Sequence, residues 1–431
     1  MSADDASRAD QPPEGRFAGT VASAPFGSVD DHVERILSRI EPLVPYEQQL
    51  LDALGLPVCE DIASPMPLPA FDNSGMDGYA VCFPDVASAS RDQPVHLPVV
   101  GEIAAGQTTI FALSPGTAVR IMTGAPVPYG ADAVVPVEWT DGGDVQVRIH
   151  RAPTEGQHIR RQGEDVQPGD ALLHTGTMLG PRQLGLLASV GFAQVLSRPR
   201  PRVVIISTGA ELRDPGSTLA ADSIYDANSY MLAASARAAG AIAYRVGIVS
   251  DDPDEFADAL SDQLVRADMV VTSGGVSKGQ YDVVKDVLSR TGRVEFGEVA
   301  MQPGKPQGFG FVGEDDTPIF TLPGNPVSAY ISFEVFCVPA IRRMMGREPF
   351  RRPTVRALTS HGLSSPAGKQ QFVRAQFEVD RGGAHVTPIA AHGSHLIGDL
   401  SDANALIVIP ADVTSVPPGT HVQVLVLDRD F

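Results

Sequence analysis

Between Val203 and Phe336 the chain alternates short, nearly all-apolar runs with helical stretches. The runs end in turns rich in glycine, acid or proline: VVIISTGAEL, VGIVSDDPDEF, MVVTSGGVSKGQYD and IFTLPGNPVSAY. Continuous apolar runs suit strands buried on both faces, and strands separated by helices predict an open α/β sheet. In such a sheet ligands sit beyond the carboxyl ends of the strands, where the βα loops converge and helix N-termini present free N–H groups to anions. Glu211, Asp251 and Asp282 all fall in those turns.

A chain of 431 residues, 43% of them hydrophobic, is long enough for two to four packed domains. Its formal charge of −19 and isoelectric point near 4.8 argue against a nucleic-acid partner, which requires a basic surface. An anionic ligand must therefore be held by a local cluster of donors. The three cysteines, Cys59, Cys82 and Cys337, form no CxxC pair, so a zinc cluster or disulfide framework is not expected and a cytoplasmic setting fits. No stretch reaches eighteen uninterrupted apolar residues, so no membrane partner is expected. The first 26 residues, acidic and polar, read as a disordered tail.

Ser28 followed by Asp31 predicts a capped helix carrying Val33, Ile36, Leu37 and Ile40 at helical spacing. A second helix is expected from Pro181 through Leu184, Leu187 and Ala188 to Gly191. The helical pieces, residues 27–65 and 175–198, bracket a strand-and-turn region over 66–174, which reads as a β domain inserted into a helical one. An α/β domain over 199–350 follows the stiff SRPRPR junction. Residues 351–431 return to short strands at sandwich or barrel spacing.

Several residues in these turns have chemistry to offer. Glu211 follows Thr208-Gly209 at a strand end, where it serves either as a ligand or as a solvated or helix-capping carboxylate. Asp251 begins DDPDEF, which also makes a sensible helix start. Gly274 and Gly275 let backbone N–H groups approach an oxyanion, with Ser277 in the same turn. Asp282 is either a ligand or an acid compensating the next helix dipole. Carboxylates in three sheet-end loops suggest a hard-cation site, with Mg²⁺ held by one or two of them plus substrate phosphate oxygens. Lys305 in PGKPQGFG and Ser328 in LPGNPVSAY sit in proline-fixed turns, where a solvated lysine and a helix cap are the plain alternatives. Asp77 in FDNSGMDGYAV is either functional or a turn-forming Asp-Gly.

Taken in order, FDNSGMDGYAV, RIMTGAPVP, IRRQGEDVQPGD, STGAEL, GGVSKGQYD, PGKP, LPGNPVS and GSH resemble the MoeA family of molybdopterin molybdenumtransferases, similar to the gephyrin E domain. The resemblance covers about residues 27–431. It implies a helical segment with an inserted β domain, an α/β domain resembling molybdopterin adenylyltransferases, a C-terminal β-barrel, and assembly as a homodimer. The implied reaction inserts molybdate into adenylylated molybdopterin with release of AMP, the substrate being supplied by an adenylyltransferase. By motif, Glu211 and Asp282 resemble the Mg²⁺-holding carboxylates, Asp251 another active-site acid, and Ser277 a residue of the same pocket. Asp77 and Thr123 belong to the β-domain motifs that would meet the α/β domain across the dimer. Lys305, Ser328, Arg374 and Ser394 match the positions expected around molybdate. The chain departs from the family at Glu298 and Gln302, where lysines are expected. An adenylyltransferase-like enzyme and a non-catalytic dimeric scaffold are the other readings; the first lacks the flanking β domains, and the acids favour catalysis over the second.

Overall fold

The computed structural model describes residues 26–106, 112–274, 283–389, 393–429 and 431. The expected tail, Phe26 apart, lies outside them. The chain divides into two compact units: residues up to Pro45 together with Arg198–Phe431, and Tyr46–Ser197.

The Tyr46–Ser197 unit is built on a five-stranded sheet in the order Ala133–Pro136, Gly78–Val81, Ala118–Ile121, Val95–Ile103, Gln146–Ile149. Gly78–Val81 is an interior strand buried along its whole length, with Tyr79 and Val81 packing one core and Ala80 another. The helix Pro181–Ser189 forms as expected: Pro181 takes the first helical position, where its missing N–H costs nothing, and Gly191 follows at φ 92°. Residues 46–65, expected in a helical segment, instead carry the strands Tyr46–Gln49 and Ile62–Ala63, which pair with Gln194–Ser197 and Ala171–Leu173. Pro42 and Pro45 cannot continue a helix, and the segment after them is taken up by strand partners from the end of the unit.

In the other unit, the helix Val29–Arg39 starts at a reciprocal cap: Asp31 N–H donates to Ser28 Oγ at 3.1 Å, and Ser28 N–H to Asp31 Oδ2 at 2.9 Å. It packs here rather than with residues 46–65. Its buried face carries Val33 and Ile36, each contributing roughly 1.5–3 kcal/mol by burial, and His32, whose ring stacks on Phe26 and meets Phe336 edge-on.

The α/β sheet runs Ile242–Arg245, Arg202–Ser207, Met269–Ser273, Thr317–Leu322, Pro306–Val312, Gly292–Glu298. The first four strands are parallel, and Pro306–Val312 pairs antiparallel with both Thr317–Leu322 and Gly292–Glu298. Met269–Ser273 and Thr317–Leu322 are buried at every position, as the all-apolar pattern requires. Beyond it, Gln370–Asp380, Gly383–Pro388, Thr354–Thr359, His421–Val426 and Ala405–Ile409 form a closed ring, because Ala405–Ile409 pairs back onto Gln370–Asp380. This five-stranded barrel settles the choice between sandwich and barrel. Its interior holds Val373, Ala375, Val386, Ile407 and Val424. Alternation along the strand sends Phe372 and Arg374 to the outer face.

Candidate functional site

The first strand of the α/β sheet, Arg202–Ser207, lies between Ile242–Arg245 and Met269–Ser273, so the chain order reverses on either side of it. Such a reversal opens a crevice at the carboxyl ends of the strands. Thr208, Gly209, Ala210 and Glu211 leave from one side of it and Gly274 from the other. Gly274 has φ 97°, and a Cβ there would stand 3.2 Å from the Thr208 carbonyl oxygen, so the approach of the two loops requires glycine. The Glu211 carboxylate folds back over Gly209, its oxygens 2.7 and 2.9 Å from where a Cβ would be.

Asp251 joins this edge by a definite bond: its Oδ2 accepts from the Ala210 N–H at 2.9 Å, fastening the third loop to the first. The helix-start role suggested by DDPDEF falls to its neighbour, Asp252, which accepts from the N–H groups of Asp254 and Glu255. Glu211, Asp251 and Gly274 are thus brought together. Gly275, Ser277 and Asp282 lie outside the described residues. Asn228, which the sequence did not single out, donates from Nδ2 to Ser273 Oγ and to the Gly324 carbonyl, both at 2.7 Å, tying the ends of two neighbouring strands. A polar residue opening a helix reads as a cap, and nothing local distinguishes this one.

The oxyanion-type residues converge on a separate cavity of about 310 Å³, lined among others by Gln302, Lys305, Ser328, Gln371, Arg374 and Ser394. Lys305 comes from the turn entering Pro306–Val312, Ser328 from the helix Pro326–Ser332, and Arg374 from the outer face of the barrel strand. Ser394 is fixed by Asn325, whose Nδ2 donates to its Oγ at 3.1 Å, and its carbonyl accepts from the Val327 N–H at 3.1 Å. Arg374 is only 6% exposed; its Nη1 donates to the Leu396 carbonyl at 2.8 Å. Burial lowers its pKa and Asp399 opposes that shift, but an arginine remains charged. Gln371, not foreseen, has its side-chain oxygen buried with no hydrogen-bond partner among the described residues. A larger hollow of about 630 Å³ is lined by Arg39, Arg202 and Arg293, paired with Glu295, Asp268 and Asp316.

In the Tyr46–Ser197 unit, Asp77 and Thr123 also meet. Asp77 Oδ1 accepts from the Thr123 N–H at 2.7 Å and from its hydroxyl at 2.8 Å, and these two bonds hold the carboxyl below its ordinary range.

Among the described residues, no group of three or more His, Cys, Asp or Glu is placed to hold a metal ion. The donors at the crevice are hard carboxylate oxygens on Glu211 and Asp251, of the kind that bind Mg²⁺ one or two at a time beside a phosphate. Asp251 already spends one oxygen on a backbone amide, so Glu211 is the better-suited donor.

Residues 27–191 match the MoeA N-terminal region (domain I and II), 204–343 the probable molybdopterin binding domain, and 356–427 the MoeA C-terminal region (domain IV). The chain is 47% identical over 403 residues to molybdopterin molybdenumtransferase 2 of Mycobacterium tuberculosis H37Rv, covering 92% of this chain and 98% of that one. It is 36% identical to the molybdopterin molybdenumtransferase of Bacillus subtilis, covering 88% and 89%. A crystal structure of a MoeA protein from Pyrococcus horikosii superposes with a TM-score of 0.77 at 31% identity, covering 94% of this chain and all of that one. The fold and its matched domains are those of a transferase of molybdenum cofactor biosynthesis. The chain belongs to the MoeA family of molybdopterin molybdenumtransferases.

Proposed function

We propose that this protein transfers molybdate into adenylylated molybdopterin with release of AMP, as a Mg²⁺-dependent homodimer in the cytoplasm supplied by an adenylyltransferase. The observation that carries the reading is the cavity: a chain of net charge −19 gathers a lysine, a buried arginine and two serines around one hollow. A tetrahedral dianion needs that mixture of cationic and neutral donors.

The two sites divide the work. Lys305 and Arg374 hold and orient the oxyanion, while the Ser328 and Ser394 hydroxyls fix its remaining oxygens. At the crevice, the glycine turn that begins at Gly274 and the loop fastened by Asp251 border the nucleotide phosphates. Glu211, with Asp282, would hold Mg²⁺, which when bound offsets the charge of the departing phosphate. Ser277 and Asp282 are assigned to this work by their motif. Asp77, kept ionised by Thr123, is a further carboxylate of the reaction.

The test is AMP release from adenylylated molybdopterin with molybdate and Mg²⁺ both present. Release that depends on both is the expected result. Release indifferent to molybdate would contradict the transfer reading.

A further inference from the structure

Two cations line the cavity, and each already faces a carboxylate. Lys305 Nζ lies 2.6 Å from Glu298 Oε2, and Arg374 Nη2 lies 3.9 Å from Asp399 Oδ2. The four side chains together carry no net charge, so an arriving dianion finds its counter-charges in use.

The two pairs are built differently. Arg374 is buried and braced by the Leu396 carbonyl, so it cannot move without losing a charge-assisted bond in a desolvated setting. The side chains of Lys305 and Glu298 are 42% and 44% exposed, both on flexible stems open to water. Their proximity is set by backbone register: Glu298 stands opposite Pro306 where Gly292–Glu298 and Pro306–Val312 pair, and the Val299 N–H donates to the Lys305 carbonyl at 2.8 Å. The backbone keeps them together while the side-chain contact is weak, as exposed ion pairs are. The Lys305–Glu298 contact is open to water and cheap to break, whereas Asp399 opposite the buried arginine has its Oδ2 buried.

We propose that Glu298 is a displaceable counter-ion of the oxyanion site, occupying Lys305 while the cavity is empty and yielding it to the incoming dianion. The inference rests on the cavity being the molybdate site. In this role Glu298 neither touches the bound oxyanion nor shapes the cavity; it sets the affinity threshold by competing for one of the two cations. Gln302, on the wall beside Lys305, is neutral and cannot take over the displaced charge.

The experiment is equilibrium binding of molybdate to the full chain, comparing wild type with Glu298→Gln, Lys305→Met, Arg374→Ala and the Glu298→Gln/Lys305→Met double variant. Glu298→Gln, isosteric and on an exposed side chain, should bind about three- to tenfold more tightly. In the Lys305→Met background the same change should gain about twofold or less, since only screened long-range repulsion is left to remove. An unchanged or weaker Glu298→Gln, with Lys305→Met and Arg374→Ala both impaired, would overturn the role of Glu298 and leave the cavity as the oxyanion site. Equal gains in both backgrounds would reduce Glu298 to a general surface charge and likewise overturn it. If Lys305→Met and Arg374→Ala bind as wild type does, or no protein binds molybdate, the cavity reading itself fails and takes this inference with it.

Discussion

At the strand ends, the described acids sit on loops and are governed by backbone: an amide fastens Asp251, and Glu211 folds over a glycine. In the cavity the cations sit on a hairpin turn and a barrel strand, and each faces a carboxylate side chain. The first arrangement suits a ligand whose phosphates are recognised mainly by N–H groups and a cation. The second suits a compact anion held by side-chain charge. Under the proposed function, a protein this acidic would bind two anionic ligands by treating them by different means.

The largest expected effect bounds the pH range in which the two regions can be compared. His32 is 1% exposed, and burial lowers its pKa from 6.5 to about 3, with Arg35 adding to the shift. Between those values the unfolded chain binds more protons than the folded one. Stability is therefore fully present above about pH 6.5 and falls as the pH drops toward about 3, by up to roughly 1.4 kcal/mol per pH unit. Urea unfolding of His32→Phe against wild type should show a flatter acid limb in the variant; parallel limbs would mean the imidazole is not buried neutral.

Next comes the separation of ligands. Arg374→Ala removes a charge-assisted donor worth about 1.5–3 kcal/mol, so molybdate should bind roughly ten- to a hundredfold more weakly while AMP binding is little changed. Equal weakening of both ligands would make Arg374 a structural residue and erase the distinction between the regions.

Asp251 tests whether the crevice works through charge or through loop geometry. Asp251→Asn keeps an oxygen able to accept from Ala210, whereas Asp251→Ala does not. If fastening is its main task, Asn should retain most nucleotide affinity and Ala lose about three- to tenfold, one neutral hydrogen bond being worth about 0.5–1.5 kcal/mol. Equal loss in both would show that the charge acts directly.

The smallest effect is expected for Asn228→Ala. Its two bonds to Ser273 and Gly324 tie strand ends already held by the sheet, so unfolding should shift by only about 0.5 kcal/mol with nucleotide affinity falling more than molybdate affinity. A selective loss of molybdate binding would put Asn228 on the wrong side of the comparison.

Much of this was open to reading because the physics is local. Strands buried on both faces are apolar throughout, Gly274 is needed where two loops touch, and Pro181 and the Ser28–Asp31 pair mark helix starts. Residues 46–65 escaped because a strand partner 108 to 151 positions away leaves no periodic trace in a short polar run. The oxyanion residues could be grouped from the sequence only through resemblance, since Lys305 and Arg374 belong to different elements that meet in space. Glu298 stood out as a departure, but its contact with Lys305 depends on hairpin register. Asn228 and Gln371 carry no local signal, because an amide gains its role only from what packs around it.

The central claim, that oxyanion and nucleotide occupy different sites, is tested most directly by crystals soaked in tungstate and examined by anomalous diffraction at the tungsten edge. The account predicts one dominant peak in the cavity, within contact of Lys305, Arg374, Ser328 and Ser394. A dominant peak at the strand ends beside Glu211 and Gly274, with the cavity empty, would contradict it.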